Sequence, residues 1–132
     1  MKLTVFTPTG TLLQCKIKQI TAETLNGHYT ILPKHIDMAA AMEANIAVYI
    51  TEDMEKKYLA CYRGILVKKG ENVTITVQNA VIGDDIDELI KTIDLDFKQN
   101  EQQRKKLNTA IARLEMGVIR GLENLHQGGL YG

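Results

Sequence analysis

The chain has 132 residues, room for one compact domain or one small domain with an appendage and too few for two full-sized enzyme domains. Lysine plus arginine number 16 and aspartate plus glutamate 16, so the charges cancel and no net field draws the protein onto nucleic acid or an anionic membrane. An apolar fraction of 45% with 24% charged residues is that of a folding globular chain, and the absence of serine removes every serine-nucleophile enzyme.

Up to Gly83 the apolar residues recur with period two between turn residues, which predicts strands over 3–7, 11–20, 28–32, 46–51, 57–63, 65–68 and 73–77. The uncharged stretches Leu3 to Cys15 and Asn72 to Gly83 are broken by Thr, Asn, Gly or Pro and are too short for the roughly 18 apolar residues of a spanning helix. No direct membrane insertion is expected, and the amino end lacks the apolar core of an export signal, so a cytoplasmic location is the default. Without export, Cys15 and Cys61 are expected as free thiols.

Between Cys15 and Ala22 the apolar phase slips, from Cys15 and Ile17 to Ile20 and Ala22, which predicts a bulge or a strand that changes sheets. Turns are marked by Thr7-Pro8-Thr9-Gly10, by Asn26-Gly27 and by Gly70-Glu71-Asn72. Closely spaced strands with no long helix between them predict an antiparallel β-sandwich over residues 1–83.

From Asp84 the spacing changes to three and four. Asp85 can cap a helix, Glu88 three residues later can answer it, and the acids suit the positive end of the helix dipole. Ile86, Leu89, Ile90, Ile93 and Phe97 form one apolar stripe, and Leu107, Ile111, Leu114, Val118, Leu122 and Leu125 a second. The polar run Lys98 to Lys106 between them predicts a turn, giving an antiparallel two-helix hairpin over residues 84–132 and an α+β fold overall. Nothing between Asp84 and Met116 is glycine or proline, so one long helix is also open to the same residues, and a partner could switch one form to the other. Gly128-Gly129 ends the helical region.

The segment Gly27 to His35 is the most informative. It reads first as a strand ended by Pro33, which has no N–H to donate; His28, His35 and Asp37 as metal ligands fit no standard spacing. A Cys61 nucleophile lacks a helix start that would activate it. The run Gln102 to Lys106 is a solvated segment or a surface for an acidic protein. Gly117 and Gly121 are tolerated near a loose terminus or admit a close helix. No phosphate-cradling glycine motif occurs, and no catalytic apparatus, cofactor site or metal site is expected.

The ordered features Leu3-Thr4-Val5-Phe6-Thr7-Pro8-Thr9-Gly10, Ile31-Leu32-Pro33-Lys34-His35, Gly64-Ile65-Leu66-Val67, Val73-Thr74-Ile75 and the acidic helix start resemble the epsilon subunits of F-type ATP synthases along nearly the whole chain. The family's usual second motif is Ile-Leu-Pro-Gly-His; Lys34 replaces that glycine. The Leu-Pro-Lys-His-Ile-Asp wording looks more like the alternate, sodium-translocating N-type branch.

The resemblance implies a β-sandwich of about ten strands, a helical hairpin and a non-catalytic place in the central stalk. The partners it implies are the gamma subunit and the c-ring subunits and, transiently, the alpha/beta head when the helices extend to restrain ATP hydrolysis. It implies a peripheral position on the cytoplasmic face of the cell membrane, and no nucleic acid. By motif, His28, Leu32, Pro33 and His35 are the candidate contacts with gamma or the c ring, and Arg104, Lys105, Arg113 and Arg120 the candidate regulatory helix surface. Some relatives bind ATP through Ile-Asp-x-x-Arg-Ala with arginines on the second helix; Ile90, Lys91 and Thr109 depart from that pattern, which argues against ATP sensing. The reading from another class is a free-standing β-sandwich ligand-binding module that dimerises through its helices.

Overall fold

The computed structural model describes the backbone of residues 1–128 and the side-chain surroundings of residues 1–115. Seven strands come first: β1 (Lys2–Thr7), β2 (Gly10–Thr24), β3 (Gly27–Ile31), β4 (Met38–Met42), β5 (Asn45–Thr51), β6 (Lys56–Lys69) and β7 (Asn72–Gly83). Helices α1 (Ile86–Asp96) and α2 (Glu101–Gly128) follow. The strands bond in the order β1-β7-β6-β5-β2-β3, with β4 also on β6 and a β1–β2 pairing that closes the sheet on itself.

Three long strands turn this closed sheet into two layers. The first part of β2 pairs with β1 and its later part with β5 and β3. Strand β6 pairs with β5 from Lys56 to Cys61 and with β4 from Gly64 to Lys68, while β7 accompanies it through both stretches. One layer is therefore β3-β2-β5-β6-β7 and the other β2-β1-β7-β6-β4. The expected count of about ten strands is met by segments rather than strands, because β2, β6 and β7 each serve both layers. Strands β1 and β7 run parallel, Lys2 beside Asn72 through Phe6 beside Thr76, the single parallel pair among the described strands.

The corners are set by particular residues. In β2 the register shifts between Ile17 and Gln19, inside the expected phase slip. In β6 Arg63 has φ 55° and no partner, between the pairs Tyr62 with Asn79 and Gly64 with Val77. A methyl group at Gly64 would strike the Thr76 carbonyl and the Val77 side chain, so only glycine lets the two strands approach there. The separate strands expected at 57–63 and 65–68 are thus one bent strand. Strand β4, absent from the sequence reading, alternates Ala39 and Ala41 outward with Ala40 and Met42 inward.

Between the layers lies a core of alternating inward residues that includes Leu3, Val5, Ile20, Tyr49, Leu59, Leu66, Val73 and Ile75. The helices build a second core on the outer face of β5, β6 and β7, where Leu89, Ile93, Phe97, Leu107 and Ile111 meet Ile46, Ala60, Tyr62 and Val81. As far as Leu114, the last described member of the second stripe, the two apolar stripes are therefore buried chiefly against the sandwich and not only against each other. Fully burying each such side chain is worth about 1.5–3 kcal/mol, so docking on the sheet outweighs what two short stripes would gain alone.

Asp85 caps α1 by accepting the Glu88 N–H at 2.7 Å, and Glu88 answers to the Asp84 N–H at 3.4 Å. The turn is tighter than the expected run from Lys98 to Lys106. Helix α1 ends at Phe97, and Asn100 accepts the Gln103 N–H at 3.3 Å to start α2, whose first turns absorb the rest of the polar run. The side chains of Val118, Arg120, Leu122 and Leu125, the surroundings of Gly117 and Gly121 within α2, and Gly129 lie outside what is described.

Candidate functional site

Among the described residues, the helices cover the outer face of one layer and leave the outer face of the other bare. Alternation along β4, β6, β7, β1 and β2 turns Ala39, Ala41, Ile65, Val67, Thr74, Thr76, Thr4, Phe6, Leu12 and Gln14 outward. The pairs Ala41 with Ile65, Ile65 with Thr76 and Thr76 with Phe6 make the strip continuous across four strands. Not one of these residues is charged. Lys2, Lys16, Lys69 and Glu71 sit at one margin, where β1, β7 and β6 begin or end.

At about 4.8 Å between strands and 3.3 Å per residue, the strip measures roughly 19 Å by 17 Å. The strip mixes apolar side chains with the uncharged polar ones of Thr4, Gln14, Thr74 and Thr76, and its larger apolar residues stand clear of the core. Ile65 is 53% exposed, Leu12 40%, Phe6 38% and Val67 37%.

The loop between β3 and β4 rises at the edge of this strip. Leu32 and Ile36, the latter 78% exposed, stand out from it. The His35 N–H donates to the Leu32 carbonyl at 2.9 Å, which makes a tight turn, and the His35 ring meets Tyr29 edge-on at 6.3 Å between centroids. Lys34 has no positive φ, so this loop admits a side chain where a glycine was the usual residue. From below, Lys68 on β6 donates to the His35 carbonyl at 2.6 Å and the Gly70 carbonyl at 2.5 Å, and Asp37 accepts the Gly70 N–H at 2.8 Å.

Of the residues singled out by sequence, Leu32, Pro33 and His35 lie together in this loop, and His28 is exposed on β3, opposite Glu23 of β2. Among the described residues His28, His35 and Asp37 form no group able to hold a metal. On the helical side, Arg104 pairs with Glu101 at 3.2 Å and Arg113 with Glu23 at 3.7 Å. Lys105, Lys106, Thr109 and Arg113 line an open groove of about 350 Å³ against Glu43 and Ala44. The Arg120 side chain lies outside the described residues.

The thiols are poor nucleophiles. Burial pushes Cys61 up to about 12, and burial also raises Cys15, partly offset by the charge of Lys57. Sequence reasoning missed the bare strip. Its signal was present in the two uncharged stretches, which β1, β2 and β7 lay side by side.

A family model described as ATP synthase, Delta/Epsilon chain, beta-sandwich domain matches residues 1–83. The chain is 27% identical to the ATP synthase epsilon chain of Bacillus licheniformis over 128 residues, covering 95% of each. It is 26% identical to the chloroplastic ATP synthase epsilon chain of Daucus carota, covering 85% of this chain and 87% of that one. Its fold is similar to a chain in the Euglena gracilis mitochondrial ATP synthase, with TM-score 0.60 and 20% identity over 88% of this chain and 79% of that one. A chain in the central stalk and c-ring structure of the Tetrahymena thermophila mitochondrial ATP synthase gives TM-score 0.58 at 15% identity, over 86% and 95%.

Proposed function

Because the chain belongs to the ATP synthase delta/epsilon family, we propose that it is the epsilon-type subunit of the central stalk, a non-catalytic coupling element between the gamma subunit and the c ring. The observation that carries this reading is the uncharged strip on the bare layer. A rotor element must hold its partner through every rotation, which calls for a broad, dry contact and no reactive centre. The strip and the 32–37 loop beside it are the surface offered to gamma and the c ring, with Leu32, Pro33 and His35 within it and His28 at the neighbouring edge strand.

The division of labour follows the two cores. Residues 1–83 grip the rotor, and residues 84–132 form a separable helical unit whose basic positions Arg104, Lys105, Arg113 and Arg120 face the alpha/beta head when the helices extend. No helix among the described residues is long and apolar enough to cross a membrane. The subunit is held at the cytoplasmic face of the membrane through the c ring. Lys34 in the second motif supports the sodium-translocating branch, which sodium dependence of ATP synthesis by the whole complex tests.

Dimerisation through the helices is disfavoured because Leu89, Ile93, Phe97, Leu107 and Ile111 are already covered by the chain's own sheet. Co-expression with gamma and c subunits is the test. The chain should co-purify with them, and the double substitution Ile65→Asp with Val67→Asp should abolish co-purification of a still-folded chain. A wild-type chain that stays alone beside both partners refutes the assignment.

A further inference from the structure

Lys68 is 2% exposed, one of the largest fully buried side chains, and it enters the core from a strand whose other inward residue nearby is Leu66. A buried ammonium is costly unless paired, yet no described carboxylate forms an ion pair with it. Its bonds go instead to two backbone carbonyls far apart in sequence, those of His35 at 2.6 Å and Gly70 at 2.5 Å. A second strap spans the same gap, from the Gly70 N–H to Asp37 at 2.8 Å. The loop that carries Leu32 and Ile36 is thereby tied to the β6–β7 turn from within the core. A methionine would fill the same volume without charge, so packing alone does not require a lysine here.

We propose that Lys68 is a positioning residue: its buried ammonium, held between the His35 and Gly70 carbonyls, fixes the pose in which the 32–37 loop presents Leu32 and Ile36 to the rotor partner. The inference rests on the stalk reading above for the identity of that partner. The clamp itself belongs to the isolated chain and is measured there. Two carbonyl bonds to a charged donor hold the loop, and releasing them lets the loop carbonyls turn to water while both cores stay intact.

The test compares wild type, Lys68→Met and Asp37→Ala in two measurements. In amide exchange of the isolated chain, Lys68→Met should speed exchange of the His35 and Gly70 amides, which donate to the Leu32 carbonyl and to Asp37, at least tenfold, with Leu59 to Cys61 unchanged. Asp37→Ala, a change at an exposed site that keeps the fold if Lys68→Met does not, removes the acceptor of the Gly70 N–H and should speed Gly70 directly while speeding His35 less than Lys68→Met does. In binding to purified gamma subunit and c ring, Lys68→Met should weaken affinity about tenfold, the loss expected for about one charged hydrogen bond's worth of loop order. Unchanged exchange at His35 in both variants overturns the clamp whatever the partner. Faster exchange with wild-type affinity for both partners overturns the positioning role. A wild-type chain that binds neither partner refutes the stalk reading itself, and that failure shows without any substitution.

Discussion

Lys57 Nζ lies 2.9 Å from Asp84 Oδ1, which ties the start of β6 to the two-residue link between β7 and α1. The helices thus leave the sandwich from an anchored point. The hydrogen bond to Asp84 is the main reason that Lys57 titrates above the usual lysine value, with charge from Asp84 and Glu55 adding to it against some desolvation. A lysine with a raised folded-state pKa contributes stability that is complete at neutral pH and is lost as pH climbs through that raised pKa. In Asp84→Asn, the Lys57 ammonium should titrate at lower pH in an NMR titration, and the chain should be less stable at neutral pH, with the difference from wild type vanishing as pH climbs through the Lys57 titration. An unchanged Lys57 titration would show that Glu55, 3.5 Å away, suffices alone.

Cys61 is fully buried in the inter-layer core, and that burial pushes its thiol up to about 12, which disfavours the reactive thiolate at neutral pH. With a chromogenic disulfide reagent the native chain should titrate one slow thiol, the half-buried Cys15, and release the second only in denaturant. Rapid reaction of both thiols without denaturant would contradict the closed core.

Gly64→Ala places a methyl group against the Thr76 carbonyl and the Cγ1 and Cα of Val77 on the neighbouring β7, and the two backbone atoms cannot yield as a flexible side-chain tip would. The strand must either straighten its corner or push β7 away, which should cost about 3 kcal/mol in urea unfolding. Gly70→Ala is the comparison. Its left-handed φ of 57° strains alanine, but there is open space around it, so its cost should be smaller, near 1 kcal/mol.

Much of the fold was legible because periodicity is local. Alternation along Ile46 to Ile50 and Val73 to Val77, and the stripe from Leu89 to Phe97, each report which face is buried without reference to the rest of the chain. What failed was non-local. Met38 to Met42 is made of good helix formers and becomes β4 only because β6 offers it a partner from Gly64 to Lys68. The corner at Arg63 looked like a gap between two strands because a sequence does not distinguish a bend from a break. The loop motif around Leu32 and His35 was found from resemblance. The strip was not, since Phe6, Thr76, Ile65 and Ala41 become neighbours only through pairings 11 to 70 residues apart in the chain.

Phe97 closes α1 at 1% exposure and joins the helices to the sheet core, so it weighs the docked form of the helical unit against any extended form. Phe97→Ala should remove roughly 3–5 kcal/mol from docking. Amides of α1 and of α2 up to Ile111 should then exchange faster while Cys61 stays protected in the intact sandwich. If the released helices are what restrains the catalytic head, this variant and a truncation after Asp85 move hydrolysis in opposite directions. Phe97→Ala raises the population of free helices and should lower ATP hydrolysis by the assembled complex, whereas truncation removes the restraining element and should raise it. Both variants keep the strip and the loop, so both should still assemble with gamma and the c ring. Equal hydrolysis in wild type, Phe97→Ala and the truncated chain would assign the helices to stability alone.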